Sequence, residues 1–593
     1  MSLFSALFTA LYTLAGLWAL IHLALCLLLP HTPRVELSYY PPPSDRSPIL
    51  LTTTVLLLTV RTTRLNAGAD ALAAWFGRAR RGGVRRAAKA MYTVGGALAA
   101  GGMLGALGLL GWTAVRLAGR GLGRWAVQGA AVNIARVWKR DELPATFATK
   151  RADSGIPIYA IIPGVTVPLS HIPLLVFALI SSQIIHEVGH FITAALENVP
   201  VLSVGLSLSI VIPSAFVALS RGAVRELPVP ARLRVASSGA FHNIVLYLIF
   251  SGITHAHIDR AFLGALGYRD VSAWGRVVSH VQPGSPLEGY LPLGSIVTKI
   301  DDDLLSSVTD NHDAWTALLS QPDVRKATEE SEDGWLGWCV DRRWFVDQPA
   351  ACCSPETASR NATACFVAYP PLALERCVDP VPYLGDSVEA PIHMRCASAV
   401  ECSADHVCVR PRDDQALLRL TVHLPAWVTP NAHTSDTTVV WNGPRAEILE
   451  EGTTDIHPIV GVTTYAPRLR LLPLALPGLL SALTSYFSAL NLSLFLFNLL
   501  PLSFLDGAPC VSAFFDIAVL AVSGPASAAS LGPAPGDVEL GALEGGGSPF
   551  ERWHMRFDVR ARWKRRLERG LHLLSAGLVG VCMLLGMIVG LGG

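Results

Sequence analysis

Long apolar stretches, separated by polar ones, constrain this chain more than any other feature of its sequence. A helix needs about 20 apolar residues to cross the hydrocarbon core of a bilayer. Only 16% of the 593 residues are charged, against about a quarter in a typical soluble protein. The sequence therefore predicts a mostly α, polytopic transmembrane helix bundle. The apolar stretches that reach or approach spanning length are residues 4–29, 91–115, 169–196, 235–253, 471–502 and 571–591.

Three further apolar features need separate interpretation. Residues 4–29 lack a basic region before them and a small-residue cleavage site, so we expect a retained helix rather than a signal peptide. Residues 48–60 are apolar but shorter than a usual span, which leaves open whether they cross the membrane. Residues 199–219 are rich in β-branched residues and interrupted by prolines, which favours a membrane-embedded β-hairpin over a straight helix.

The largest polar part of the chain, residues 254–470, holds eight of the eleven cysteines. An even set crowded between Cys339 and Cys408 is typical of a disulfide framework in an oxidising compartment, although the pairing does not follow from the sequence. A metal cluster is the alternative, but the spacings lack a repeated Cys-x-x-Cys. A glycosylation sequon at Asn361 also favours a lumenal or extracellular side.

The basic segments indicate the orientation in the membrane. If the cysteine-rich part is lumenal, the segments at residues 77–89 and 552–569 both fall on the cytosolic side, as the positive-inside rule requires. Residues 116–151 are also basic and do not fit this arrangement. No interleaved aromatic residues or known motif accompany the basic run at residues 77–89, so the expected partner is the lipid bilayer and not nucleic acid.

The segment SQIIHEVGHFITAAL, residues 182–196, places three ionisable side chains inside an apolar stretch. His186 and His190 are four residues apart and share one face of a helix, where two imidazoles can hold one Zn²⁺. In the HExxH pattern the glutamate, here Glu187, is the general base and not a ligand. A pair of buried, hydrogen-bonded histidines is the non-catalytic alternative, but it leaves Glu187 without a partner in hydrocarbon.

A catalytic zinc ion needs a third protein ligand and one open position. Asp506 is the best candidate, because it is an isolated carboxylate between Leu505 and Gly507 in the second long membrane block. The alternative is that Asp506 has only a structural role, in a turn before glycine. Glu197 and Glu226 are the other carboxylates downstream of the histidines.

These motifs together resemble the site-2 proteases of the eukaryotic, membrane-bound transcription factor type, which are intramembrane zinc metalloproteases. The resemblance covers residues 169–253 and 471–507, and it rests on HEVGH, on Asn498-Leu-Leu-Pro501 with Leu505-Asp506-Gly507, and on a Gly239-x-x-x-Asn243 element. It implies that His186, His190 and Asp506 are zinc ligands and that Glu187 is the base.

The same resemblance implies that Asn243 is a polar group near the site, able to orient substrate or stabilise an oxyanion. An interhelical hydrogen bond is the alternative role for Asn243. His242 beside it is an alternative ligand, although a core histidine is the simpler interpretation. The chain departs from many family members at Ser503 and Ala508, where they have a second proline and a second glycine, and both changes could alter the turn around Asp506.

Part of the polar region resembles a PDZ domain. Residues 278–302 read as a strand, a tight turn and a second strand ending in an acidic turn, and residues 313–319 read as the helix. The cysteine-rich insert, about residues 339–408, would interrupt this α/β domain, which resumes over residues 417–464. PDZ domains bind extended segments by strand addition.

The resemblance implies cleavage of transmembrane segments in pre-clipped membrane proteins, such as precursors of sterol-responsive transcription factors, in the Golgi or endoplasmic reticulum. A catalytically silent scaffold that binds partners through its PDZ-like domain is one rival. A membrane-anchored protease with an aqueous site is another, but it would need HExxH in polar sequence. The expected divisions are N-terminal helices and basic loops (1–168), the catalytic core (169–253 and 471–520), the lumenal region (254–470), a flexible loop with a basic segment (521–570) and a last helix (571–593).

Overall fold

The computed structural model describes residues 3–28, 49–134, 167–320, 337–350, 363–381, 395–425, 436–523 and 549–591, with short gaps inside several of these ranges. The helices are α1 (Leu3–Leu28), α2 (Asn66–Arg78), α3 (Gly83–Ile134), α4 (Ile172–Leu196), α5 (Arg221–Glu226), α6 (Val229–His255), α7 (Ile258–Ala265), α8 (Ala314–Leu319), α9 (Arg342–Asp347), α10 (Arg445–Leu449), α11 (Leu476–Asn498), α12 (Gly507–Ser523) and α13 (Pro549–Leu591).

The strands of the described residues fall into four sheets. They are β1 (Ile49–Thr54), β2 (Leu57–Thr62), β3 (Val201–Ser209), β4 (Ile212–Leu219), β5 (Tyr268–Asp270), β6 (Arg276–Val281), β7 (Ile296–Ile300), β8 (Asp303–Leu304), β9 (Gly337–Asp341), β10 (Ala364–Ala368), β11 (Glu375–Val378), β12 (Arg395–Cys396), β13 (His406–Pro411), β14 (Leu417–His423), β15 (Asp436–Asn442), β16 (Val460–Thr463) and β17 (Tyr465–Pro467).

Within the described residues, five helices are long and apolar enough to cross a membrane, namely α3, α4, α6, α11 and α13. In α1 the apolar stretch that qualifies, Tyr12–Ala24, is shorter. The chain is therefore mostly helical with some strands, and its apolar helices indicate a multi-pass membrane protein, as the sequence predicts.

Several helices extend beyond the apolar stretches that predict them. Helix α3 has 52 residues and α13 has 43, and the basic segment at residues 552–569 forms the first part of α13. Arg, Lys and Glu are good helix formers, so a helix continues past the point where its sequence stops being apolar. Apolar length locates the part of a helix that suits lipid and not the ends of the helix.

Prolines define where the helices around the site begin. Pro173, Pro230 and Pro477 lie in the first turns of α4, α6 and α11, where the missing N–H has no intrahelical partner to lose. Helix α4 ends before Asn198, which has a φ of 58° in the left-handed region that asparagine tolerates at helix ends. Pro200 follows and starts the chain into β3.

An antiparallel sheet in the order β1-β2-β3-β4 lies beside α4. Residues 48–60 contribute β1 and most of β2, so this stretch forms a hairpin and not a transmembrane helix. Its run of threonine, valine and leucine suits a pleated strand. The predicted hairpin at residues 199–219 is β3 and β4. Strand β4 forms one edge of the sheet and packs against α4.

The described part of the polar region builds three further sheets, of which one pairs β5 with β17 and the other two interleave along the chain. The first of the interleaved sheets contains β6 to β8, and also β14 to β16 from much later in the sequence; its core includes Ile300, Trp315 and Leu420. The second sheet, in the order β11-β10-β13-β9-β12, is formed by the residues between those two groups and packs around Phe345 and Phe366. The chain thus begins the core of the first sheet, forms the whole second sheet, and then completes the core of the first.

Disulfides stabilise the second sheet, which confirms the disulfide prediction there. Cys339 is bonded to Cys402, and Cys396 to Cys408. Cys365 and Cys377 are also disulfide-bonded. The sulfurs of Cys339, Cys396 and Cys402 lie close enough to suggest a metal cluster, but as disulfide sulfurs they are not thiolate ligands. Cys352, Cys353 and the sequon at Asn361 lie outside the described residues.

We expect replacement of both Cys396 and Cys408 by alanine to destabilise this part of the protein by about 3 kcal/mol, because the bond restricts the conformations of the unfolded chain. Limited proteolysis of the purified full chain should then cut within residues 337–411 at lower protease concentrations. Cys582→Ala is the control, because Cys582 is a free thiol in α13. Equal protease resistance of the double variant and the wild type would contradict this expectation.

Candidate active site

Helix α4 and the turn before α12 bring three potential metal ligands together. His186 Nε2 lies 3.0 Å from Asp506 Oδ2, and His190 Nε2 lies 3.1 Å from the same oxygen. The two Nε2 atoms are 3.3 Å apart. Both histidines are buried. Residues separated by more than 300 positions therefore converge on one point, as the sequence predicts for a shared ligand set.

The turn that carries Asp506 depends on proline and glycine. Helix α11 ends at Asn498, and Pro501 cannot continue it. A Cβ atom at Gly507 would lie 2.3 Å from the carbonyl oxygen of Leu500, so only glycine allows the chain to fold back here. Ser503 and Ala508, the two departures from the family pattern, leave Asp506 beside the histidines.

Two glycines let α6 approach the histidines closely. A Cβ atom at Gly239 would lie 2.3 Å from His186 Nε2 and 2.5 Å from His190 Nε2. A Cβ atom at Gly189 would lie 2.6 Å from the carbonyl oxygen of Ser238. The space in front of both Nε2 atoms therefore exists because residue 239 has no side chain.

The second nitrogen of each imidazole has a hydrogen-bond partner on α6. His190 Nδ1 lies 2.9 Å from the carbonyl oxygen of Val235 and 3.2 Å from Ser238 Oγ. The side-chain nitrogen Nδ2 of Asn243, which is fully buried, lies 2.9 Å from His186 Nδ1. A carbonyl partner such as that of Val235 keeps the proton on Nδ1 of His190 and leaves the Nε2 lone pair for a metal. Asn243 Oδ1 is buried without a hydrogen-bond partner among the described residues, and flipping the amide places Oδ1 against His186 Nδ1, where it accepts the Nδ1 proton.

The three ligand atoms fit a tetrahedral zinc ion. Zinc bonds of about 2.0–2.1 Å at tetrahedral angles separate the ligand atoms by about 3.3 Å. The observed separations of 3.0 to 3.3 Å are close to that value. Two imidazoles and one carboxylate are also a donor set that zinc accepts, with a fourth position left for water. The residues present therefore suit the predicted metal.

Glu187 lies on the same helix and lines a cavity of about 700 Å³ together with His190 and Asp506. Its Oε2 accepts a hydrogen bond of 2.8 Å from the backbone N–H of Val217 in β4. Arg221 and Arg225 of α5 line the same cavity. The carboxylate thus lies between the candidate metal site and the edge strand.

The other possible metal ligands, Glu197, Glu226 and His242, lie elsewhere or have other partners. Glu197, beyond the end of α4, pairs with Lys89 Nζ at 3.0 Å and with Arg234 at 2.8 Å. Glu226 is the last residue of α5. His242 uses both ring nitrogens, at 3.0 Å from the Tyr92 hydroxyl and 3.2 Å from the carbonyl oxygen of Ile185. Its contacts are those of a core histidine.

Sequence reasoning missed several residues that support the site. Ser238 links His190 to Thr193, whose Oγ1 donates to Ser238 Oγ at 3.0 Å. Gln183 Oε1 accepts from the backbone N–H of Ala215 in β4 at 2.9 Å. Gln183 lies four residues before Glu187, and this helical spacing is the one signal in the sequence that could have drawn attention to it.

Comparisons with known proteins indicate which family this chain resembles. Residues 174–427 match peptidase family M50, a metalloprotease family. The chain is also similar to the membrane-bound transcription factor site-2 protease homolog of Arabidopsis thaliana, with 25% identity over 146 residues, which is 24% of this chain. The two matches confirm the resemblance to the site-2 protease family. The matched segment spans about a quarter, 27%, of the length of that relative.

We expect Gly239→Ala to remove bound zinc, because the new methyl group would occupy the space in front of both histidine Nε2 atoms. Elemental analysis of the purified protein should show about one zinc ion per wild-type chain and close to none in the variant. Gly252→Ala on the same helix is the matched control, since a Cβ atom there meets nothing within 4 Å. Zinc retained by Gly239→Ala would rule out this site as the zinc site.

Asn243→Ala should weaken zinc binding by about 10-fold to 100-fold, because His186 loses the partner that orients its ring. Competition with a chelator of known affinity measures the change. Ser251→Ala, at a half-buried position about two turns further along α6, should leave the affinity as in the wild type. Unchanged zinc affinity in Asn243→Ala would instead assign Asn243 a role other than orienting the ligand.

Proposed function

We propose that this protein is an intramembrane zinc endopeptidase that cuts within transmembrane segments of other membrane proteins. The observation that carries the proposal is the convergence of His186, His190 and Asp506 beside Glu187, among helices apolar enough to cross a membrane. The family M50 match supports protease chemistry independently of this geometry.

His186, His190 and Asp506 are the proposed zinc ligands, and Glu187 is the proposed general base. Bound Zn²⁺ would make a water molecule more acidic and polarise the scissile carbonyl group. The Glu187 carboxylate would accept a proton from the attacking water and pass it to the leaving amine as the peptide bond breaks. His186 and His190 are held for ligation through their Nδ1 atoms by Asn243 and Val235.

The substrate must unwind before it can be cut, since the backbone groups of a helix are engaged in its own hydrogen bonds. The edge strand β4 lies beside the catalytic cavity, and Phe216 and Val217 line that cavity. We propose that the sheet of β1 to β4 is embedded in the membrane and that an unwound segment pairs with β4, as peptides pair with edge strands elsewhere.

The substrates we propose are membrane-tethered precursors that another protease has already clipped, with transcription factor precursors as the leading class. The name of the Arabidopsis thaliana relative supports this class. The sheet that contains β6, β7 and β14, with α8 beside it, is the proposed PDZ-like module that would bind the clipped end. The disulfides of the neighbouring sheet fit the lumen of the Golgi or endoplasmic reticulum.

We expect Glu187→Gln to lower the cleavage rate by about 100-fold to 10,000-fold, the usual contribution of a general base. The measurement is release of a soluble reporter from a tethered precursor, in cells that lack other activity on it. Glutamine keeps the size of the side chain and its acceptor oxygen, so expression and membrane insertion should match those of the wild type. Undiminished release would favour the scaffold alternative.

A further inference from the structure

The outer edge of β4 has few free backbone donors. Strand β3 pairs with β4 along its length, from Ser209 opposite Ile212 to Val201 opposite Leu219. Backbone groups of alternate residues point to opposite sides of a strand, so the outer edge presents residues 213, 215, 217 and, at the end of the strand, 219. Residue 213 is proline and has no N–H to offer. Ala215 and Val217 therefore carry the donors in the middle of this edge, and both need partners.

Both donors are satisfied by side chains of α4. Ala215 N–H donates to Gln183 Oε1 at 2.9 Å, and Val217 N–H donates to Glu187 Oε2 at 2.8 Å. Four residues along a helix rise about 6 Å, and two residues along a strand rise about 6.6–6.8 Å. The two spacings match closely, so one face of α4 presents acceptor oxygens in register with the strand edge.

An extended polypeptide would present the same acceptors. Its carbonyl groups on alternate residues repeat at the spacing of the strand, and pairing with β4 would direct two of them at the N–H groups of Ala215 and Val217. Each N–H donates to one well-aligned acceptor at a time, so a pairing segment and the α4 side chains compete for it. An unpaired donor in an apolar setting is costly, which explains why the edge is filled in the free protein.

We propose that the side-chain oxygens of Gln183 and Glu187 occupy the backbone donors of β4 that a substrate strand would use. Substrate pairing with β4 then displaces both side chains. Displacement releases Glu187 Oε2 from Val217 beside His190 and Asp506, so the base becomes available when a segment is in place to be cut. Gln183 is then a positioning residue that holds the free edge. This inference rests on the proposed function of the site and adds the step that couples substrate binding to the base.

Gln183→Met tests the competition, because methionine keeps the length and helix preference of glutamine but has no comparable acceptor. The probe is a fluorescent transmembrane peptide of about 25 residues, with a central Gly-Pro that weakens its helix. Anisotropy measures its binding to Glu187→Gln protein in nanodiscs, which needs no cleavage. We expect Gln183→Met in that background to tighten binding by about threefold to tenfold, the equivalent of one competing hydrogen bond.

Ala215→Pro should act in the opposite direction. It removes the donor that the substrate requires, and an edge strand tolerates proline, as Pro213 at the equivalent position shows. We expect weaker peptide binding by a similar factor. Ile184→Met is the matched control on α4, because Ile184 is exposed and has no polar side-chain atom. It should bind the peptide as the background does.

In the active enzyme, the effect of Gln183→Met should appear as a lower KM and not as a change in kcat. Unchanged or weaker peptide binding by Gln183→Met overturns the inference and makes Gln183 a structural anchor of β4. If Glu187→Gln stops cleavage in that case, the proposed function survives alone. If wild-type protein fails to cleave but the two variants shift binding in opposite directions, the competition for the donors of β4 stands, and the release of a catalytic base falls with the proteolytic function. A peptide that binds none of the proteins contradicts the inference.

Discussion

The structure depends on one contact, in which the Asp506 carboxylate meets the Nε2 atoms of His186 and His190. It joins α4 to the turn before α12, and α6 packs closely against α4 and α12. Glycines at 189, 239 and 507 are required because a Cβ atom at any of them would collide with backbone or with the histidines. The arrangement of the helices around the site is therefore a consequence of bringing three polar side chains to one point.

Placing these groups among apolar helices creates a second demand, since every polar atom nearby needs a partner. Val235, Ser238 and Asn243 of α6 meet it for the histidines. Asn491 of α11 donates to Ser182 of α4 at 2.9 Å and links another pair of helices in the same way. The polar residues of the bundle thus both support the candidate ligands and bind the helices to one another.

The candidate ligands can be singled out in the sequence because their signal is local or chemically isolated. His186 and His190 share a helical face by spacing alone, and Asp506 stands out as a carboxylate in an apolar block. The hairpin at residues 48–60 is not predicted, because a short apolar run has the same composition in a strand as in a helix. The role of Gln183 is not predicted either, because its partner lies in β4 and the sequence does not show how β4 packs against α4. Contacts between different kinds of element need the fold.

An exposed strand edge is a liability in any protein, and in a membrane it is a severe one. Here Pro213 removes one donor and a helix face covers two more. A permanent cover would also block any strand that the site must receive. Side-chain acceptors solve this conflict, because Gln183 and Glu187 can turn away without unfolding α4, whereas a paired strand could leave only by breaking a ladder of backbone bonds. A cover made of side chains is therefore the form of protection that keeps the edge available.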